Sequence, residues 1–256
     1  MFKREHLLFI LLGGFFITNA VVAEFIGVKI FSLERTFGFE PVNFTLFGRP
    51  GNAFNLTAGV ILWPVVFVMT DIINEYYGKR GVRILSYLAV GMISYSYLMV
   101  SLAIGAEPAT FWIEQVNTDI QPNIDVAFGR IYGQGLGIIV GSLVAFLVGQ
   151  LVDVSIFQFL RRYTGTSRIW LRATGSTLVS QLIDSFIVLF IAFYLWPNGD
   201  NQWTLTQVLA VGVVNYIYKF VISIVLTPLL YVLHWGIDAF LGKEKAEELM
   251  AAAAAG

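Results

Sequence analysis

Six long apolar segments constrain this chain more than any other feature of its sequence. An α-helix needs roughly 20 mostly apolar residues to cross the hydrocarbon core of a bilayer. The segments that reach this length lie near residues 7–27, 57–77, 83–105, 131–159, 174–196 and 206–235. With 57% hydrophobic and only 13% charged residues, a soluble fold could not bury the apolar surface. We therefore predict an all-α integral membrane protein with six transmembrane helices.

Basic residues concentrate in alternate connections between these segments. Residues 106–127 contain four acidic residues and no Lys or Arg. Because basic loops stay in the cytoplasm, both termini are predicted to be cytoplasmic. The basic residues on the predicted cytoplasmic side are Lys3, Arg4, Lys79, Arg80, Arg83, Arg161, Arg162, Arg168, Arg172, Lys243 and Lys245.

The remaining segments are assigned by polarity. Residues 28–56 are too polar to span, and 28–33 and 42–46 partly alternate, which predicts a small β-hairpin in the first outside loop. Residues 1–245 are predicted to form one transmembrane domain. Residues 246–256, which end in five alanines and a glycine, are predicted to be a tail that derives partly from an added linker.

Polar residues inside the apolar segments are the functional candidates, because an ionisable side chain at bilayer depth is costly. Asp71 and Glu75 lie on one face of the second span, four residues apart. Gln150 and Asp153 in the fourth span repeat the spacing of Gln181 and Asp184 in the fifth. Hydrogen bonding between helices is the alternative role for the glutamines. The set that we predict to bind substrate is Asn19, Trp63, Phe67, Asp71, Gln150, Asp153, Gln181, Asp184, Asn215 and Lys219.

Lys219 is the only Lys or Arg that the pattern places at mid-membrane depth. A lone buried ammonium group is costly, so we predict a carboxylate partner among Asp71, Asp153 and Asp184. The pair could be structural, or it could face a water-filled cavity and contact substrate. Glu75 and Arg130 are assigned to a gate or to the membrane interface, and Glu24 is attributed to the interface.

An aromatic pair precedes these carboxylates. Trp63 and Phe67 are four residues apart, and Pro64 between them permits a kink. Such a helix could form the wall of a pocket for a flat ring, although packing in the core or against lipid is the alternative.

Other classes of function have little support in the sequence. The chain contains no cysteine, no phosphate-binding loop and no zinc-protease motif, so we predict no enzyme activity, no metal and no cofactor. A net charge of −1 gives no basic surface for nucleic acid. A homodimer is expected, because six spans make a thin bundle.

The run Thr-Asp-Ile-Ile-Asn-Glu-Tyr-Tyr-Gly at residues 70–78 is the most specific motif in the chain. In this run the chain resembles the queuosine precursor transporters, also called the vitamin uptake transporter family. Residues 58–67, 149–153 and 171–177 support it, as do Tyr216 with Lys219 and Pro228, so that the resemblance covers roughly residues 15–232.

The resemblance implies import of the 7-deazaguanines preQ0 and preQ1 across the bacterial cytoplasmic membrane. The family-matching polar residues are Asn19, Asp71, Gln150, Asp153, Asp184 and Lys219. A secondary transporter or facilitator is the first hypothesis. The alternative is a substrate-binding membrane subunit that needs a separate ATPase partner.

Overall fold

The computed structural model describes residues 3–115, 123–133, 135–165, 168–196 and 202–255, and these residues are mostly helical. A single 3₁₀ turn, Ala58–Ile61, precedes α3, and a π-helical turn, Phe190–Leu195, continues α7. The helices are α1 Arg4–Ile26, α2 Leu33–Thr36, α3 Trp63–Ile104, α4 Thr110–Gln115, α5 Ile124–Tyr132, α6 Leu136–Thr164, α7 Ile169–Leu189, α8 Leu205–Val225, α9 Thr227–Leu241 and α10 Lys243–Ala255.

Five helical stretches among the described residues are long and apolar enough to cross a membrane. The stretch Trp63–Ile104 includes most of the two predicted spans at 57–77 and 83–105. The stretch Ile124–Thr164 includes both α5 and α6. The stretches are Arg4–Ile26, Trp63–Ile104, Ile124–Thr164, Ile169–Leu195 and Leu205–Val225. The predicted span at 206–235 ends earlier, since α8 stops at Val225 and α9 begins at Thr227, just before Pro228.

Helix α3 is broken at Gly78, where φ is 65° and ψ is −171°. A straight helix would hold Trp63 and Tyr97 about 51 Å apart, at 1.5 Å per residue. Instead, both ends of α3 reach the same part of α1. Gly59, just before α3, approaches the Ala23 carbonyl, and the Tyr97 hydroxyl donates to Glu24 at 3.3 Å. The two halves of α3 are therefore antiparallel.

Helix α1 covers both halves of α3. Phe16 and Ala20 of α1 are fully buried in one cluster that includes Val66 from the first half and Leu85 and Ile93 from the second half. At the other end of the bundle, the Tyr77 hydroxyl donates to the Glu5 carbonyl at 2.7 Å. This packing defines a Glu24 end and a Glu75 end of the bundle.

Small residues bring α6, α7 and α8 together. A Cβ atom added at Gly141 of α6 would lie 3.1 Å from the Val188 carbonyl oxygen of α7. One added at Gly212 of α8 would lie 2.5 Å from the Phe186 ring of α7. Close backbone approach at small residues is the usual packing of membrane helices. It fixes the distance between the polar faces of these three helices.

The loop between α1 and α3 contains four short strands in two antiparallel pairs. β1 Ile30–Ser32 pairs with β4 Asn55–Thr57, and β2 Phe44–Leu46 pairs with β3 Arg49–Asn52. The prediction of a small β-hairpin in this loop is confirmed by β2 and β3, although the alternating stretches at 28–33 and 42–46 do not pair with each other. Phe47 and Gly48 connect β2 to β3, and both have positive φ values, as the central residues of a type I′ turn do.

The C-terminal residues form helix α10, which packs against the break in α3. The Arg161 guanidinium donates to the Met250 carbonyl at 2.7 Å, and Ala253 packs against Gly78. The division into a domain at 1–245 and a tail at 246–256 remains a prediction.

Replacing Gly78 by alanine is expected to destabilise the protein by about 1–3 kcal/mol, the usual cost of a side chain in this region of backbone space. The added Cβ would also lie 3.1 Å from the Ala253 carbonyl oxygen. Thermal unfolding in detergent measures the effect. Gly91→Ala is the matched control, because nothing lies within 4 Å of its Cβ position. An unchanged melting temperature for Gly78→Ala would contradict the break seen in α3.

Candidate functional site

A cavity of about 430 Å³ lies at the Glu24 end of the bundle, between α1, α3, α6, α7 and α8. Its volume is in the range of small-molecule sites. Ile30 and Arg130 are exposed at its rim. The charged and polar residues that line it are Glu24, Arg130, Ser142, Asp184, Ser185, Asn215 and Lys219.

The Lys219 ammonium group of α8 pairs with the Asp184 carboxylate of α7 in the wall of this cavity. This confirms that Lys219 has a carboxylate partner and selects Asp184 from the three candidates. Both side chains are half-buried, with 11% and 19% of their surface exposed. A pair that is partly open to a cavity can exchange one hydrogen bond for a ligand, which a fully buried pair cannot do at low cost.

Glu24 also lines the cavity. It is only 6% exposed and accepts hydrogen bonds from the hydroxyl groups of Tyr97 and Ser142. Attributing Glu24 to the membrane interface was therefore wrong. Its position two residues before the end of α1 suggested a short route to water, but α3 and α6 cover that end of the helix.

Trp63 supplies an aromatic face to the cavity. Its ring packs on Phe146, with ring centroids 5.5 Å apart, and both residues line the cavity. Arg130, near the C-terminal end of α5, lies at the rim with an exposed side chain. The cavity thus combines a flat apolar surface with charges of both signs.

Two water-sized spaces continue from the cavity toward the middle of the bundle. The first, of about 10 Å³, is lined by Trp63, Phe67, Gln181 and Lys219, and so adjoins the large cavity. The second, of about 20 Å³, shares Phe67 with the first and reaches Asp71. Phe67 is buried and lies between the two spaces. Both spaces are too small to hold a ring.

A second polar group lies deeper, where α3, α6 and α7 meet. Asp71 accepts a hydrogen bond from the Thr177 hydroxyl at 3.4 Å, and Asp153 accepts one from Ser180 at 3.1 Å. The Gln150 side chain accepts a hydrogen bond from Thr70 at 3.0 Å. Asp71, Asp153 and Gln150 are each at most 3% exposed. The structure thus separates these predicted residues from those that line the large cavity.

Glu75 belongs to a third charged group at the opposite end of the bundle. Its carboxylate receives two hydrogen bonds from Arg172, at 2.7 and 3.0 Å, and lies 3.5 Å from Arg161. None of these side chains is more than 4% exposed. One prediction placed Glu75 at the membrane interface. Its complete burial shows that this prediction is wrong. Arg172 and Arg161, assigned to a connection, are buried because α6 and α7 extend beyond the predicted spans.

The predicted site residues fall into separate places. Trp63, Asp184, Asn215 and Lys219 line the large cavity, as does Arg130, whereas Phe67 and Gln181 line its narrow continuation. Asn19 donates to the Phe15 carbonyl of its own helix at 2.8 Å and does not line a described cavity. Sequence reasoning missed Glu24, Ser142, Arg161 and Arg172. The helical period could distinguish buried Arg161 from exposed Arg162 only after the buried face of α6 is known.

Comparison with known proteins places this architecture beside membrane transporters. Residues 57–233 match a family described as "Putative vitamin uptake transporter". A Bacillus subtilis protein named "Probable queuosine precursor transporter" is 32% identical over 70% of this chain and 72% of its own length. The Escherichia coli "Queuosine precursor transporter" is 28% identical over 67% of this chain and 69% of its own. No solved structure matches the chain significantly.

Removing the Glu75 charge is expected to destabilise the protein strongly. Glu75→Gln leaves the buried Arg172 guanidinium without its anionic partner, and breaking a buried pair in this way costs about 3–5 kcal/mol. The free energy of unfolding in detergent measures the loss. Glu248→Gln is the control, because Glu248 is 67% exposed in its pair with Lys245 and such pairs contribute at most about 1 kcal/mol. Equal effects of the two substitutions would contradict a structural role for Glu75.

Proposed function

The chain belongs to the vitamin uptake transporter family, and we propose that it imports a queuosine precursor across the bacterial cytoplasmic membrane. The substrate in this proposal is a 7-deazaguanine such as preQ0 or preQ1. The names of the relatives support the substrate class. The observation that carries the proposal is the large cavity, which presents the Asp184–Lys219 pair next to the face of Trp63.

The chemistry of a 7-deazaguanine fits this wall. The base has a donor edge, formed by N1–H and the 2-amino group, and an acceptor at O6. The Asp184 carboxylate can accept both donors, while Lys219 or Asn215 can donate to O6. Trp63 can stack on the flat ring. Glu24, which lines the same cavity, can accept a hydrogen bond from the amine that distinguishes preQ1.

We also propose that the chain crosses the membrane six times, with both termini in the cytoplasm. The support is the break at Gly78, which makes the two halves of Trp63–Ile104 antiparallel, so that this stretch counts as two crossings. The basic residues Lys79, Arg80 and Arg83 then lie at a cytoplasmic turn. In this orientation, the Glu24 end faces outward and the large cavity is open to the outside.

Single cysteines report the orientation directly, since the chain has none of its own. In intact cells, a membrane-impermeant maleimide is expected to label Glu107→Cys but not Arg80→Cys. Permeabilising the cells should make Arg80→Cys reactive, which is the control for its exposure. Labelling of both positions from outside, or of Arg80→Cys alone, would contradict the proposed orientation.

Substrate binding is expected to depend on both members of the cavity pair. Asp184→Asn and Lys219→Met should each weaken preQ0 or preQ1 binding about 5- to 150-fold, which corresponds to roughly 1–3 kcal/mol for an unpaired buried polar group. Titration calorimetry on the purified protein measures this, with guanine and adenine as competing bases. Glu248→Gln and Lys245→Met are the matched controls, because they remove an ion pair from the surface.

Two results would contradict the proposal. If the wild-type protein binds neither preQ0 nor preQ1, the substrate is wrong. If the cavity variants bind like the wild type, the Asp184–Lys219 pair is structural. Uptake of radiolabelled preQ0 by proteoliposomes that contain only this chain separates a transporter from the alternative, a binding subunit that requires an ATPase partner.

A further inference from the structure

We propose that Asp71 and Asp153 form a binding site for a monovalent cation, a proton or Na⁺, which couples ion movement to substrate movement. The coupling rests on the proposed transport function, whereas cation binding at this site does not. The site lies below the large cavity, where α3, α6 and α7 meet. It is separate from the Asp184–Lys219 pair.

The two carboxylates lie against the same stretch of α7, and both are almost completely buried, at 3% and 0% exposure. Thr177 donates to Asp71, and Ser180 donates to Asp153. The hydroxyls of Thr177 and Ser176 also lie near Asp153. Two acidic groups thus face one row of hydroxyl groups.

The charge at this site is not balanced by an ion pair among the described residues. None of the ion pairs between described residues includes Asp71 or Asp153. Other charges that act on Asp71 are Glu75 of α3 and Arg172 of α7, but those two bind each other directly. Burying two ionised carboxylates without a counter-charge is costly. A bound cation reduces that cost.

Unused hydrogen-bonding capacity points to the position of the cation. Oδ1 of Asp71 and Oδ2 of Asp153 have no hydrogen-bond partner in the described structure. Asp71 and Thr177 also line the water-sized space of about 20 Å³. This space is large enough for one water molecule. A cation therefore has one vacant oxygen ligand from each carboxylate, and room for a water ligand beside Asp71.

The ligand set favours a monovalent cation. Calcium takes 6–8 oxygen ligands, whereas the unpaired ligands here are one oxygen from each of two carboxylates. No group of three or more His, Cys, Asp or Glu side chains that could hold a metal ion occurs in the described part of the chain. A proton can be shared by two adjacent carboxylates, and Na⁺ can bind carboxylate and hydroxyl oxygens.

Helices α6 and α7 connect this site to the substrate cavity. Thr177 and Ser180 lie on α7 within two turns of Asp184, and Asp153 lies one turn along α6 from Gly149. Gly149 packs against Asp184, with 3.7 Å from its Cβ position to the Asp184 Cβ. A shift of α7 on cation binding therefore moves Asp184 in the cavity wall. This contact is the physical basis for coupling.

Two measurements on the purified protein without substrate test cation binding. Equilibrium binding of radioactive Na⁺ detects a sodium site. Dicyclohexylcarbodiimide, which reacts with protonated carboxyl groups in apolar surroundings, detects a proton site, and peptide mass spectrometry locates the modified residue. We expect either Na⁺ binding that is lost in Asp71→Asn and Asp153→Asn, or carbodiimide labelling of Asp71 or Asp153 in the wild type. Glu248→Gln should change neither result.

The proposal is overturned if the wild type binds no Na⁺ and carbodiimide leaves both residues unmodified. It is also overturned if Na⁺ binding persists in both variants and carbodiimide modifies neither residue of the wild type. The labelling measurement needs no variant, so a folding defect in either Asn variant does not affect it. Neither measurement needs substrate, so failure here differs from failure of the proposed substrate.

Proteoliposomes test the coupling. An imposed Na⁺ or pH gradient, according to the cation found, should drive accumulation of preQ0 by the wild type. In Asp71→Asn and Asp153→Asn, accumulation should be lost while preQ0 exchange at equal concentrations persists. Exchange without gradient-driven accumulation in the wild type would overturn the coupling and leave the proposed substrate intact. Absence of both exchange and accumulation would instead overturn the proposed function.

Discussion

A charged side chain inside this bundle has no bulk water to solvate it, and the arrangement of the helices follows from that constraint. Three charged groups lie in succession between the Glu24 end and the Glu75 end. They are the Asp184–Lys219 pair, the Asp71–Asp153 group, and Glu75 with its two arginines. Each group is assembled from at least two helices, so each holds specific helix faces together. Helix α7 takes part in all three, through Asp184, through Thr177 and Ser180, and through Arg172.

The two ends of the bundle differ in how much water they admit. The Asp184–Lys219 pair borders a cavity whose rim is exposed, whereas the cluster around Glu75 is closed by packing and by helix α10. A half-open ion pair can change partners, while a closed bidentate pair maintains a fixed structure. Between them, Phe67 separates two water-sized spaces. The structure is therefore open at the Glu24 end and closed at the Glu75 end.

The sequence predicted the residue types of the site better than their positions. Hydropathy located the apolar segments, because the bilayer sets a minimum length for each. The cost of a lone ammonium predicted a carboxylate partner for Lys219, but only the helix packing selects Asp184 from three candidates. The basic run after residue 77 predicted a connection there, but local pattern could not predict that the chain reverses through one non-helical residue, Gly78. The burial of Glu24 and Arg172 was missed because each lies near a segment end, where a route to water is normally available.

The contact between Glu75 and Arg172 also has a consequence for biosynthesis. The two residues are 97 positions apart in the chain, so the ribosome completes α3 long before α7 exists. Arg161 of α6 is made 11 residues earlier than Arg172, but the bidentate contact of Glu75 forms only with Arg172. The Glu75 end of the bundle therefore closes only after α6 and α7 have both been made. A chain truncated before Arg172 would lack the bidentate partner of Glu75.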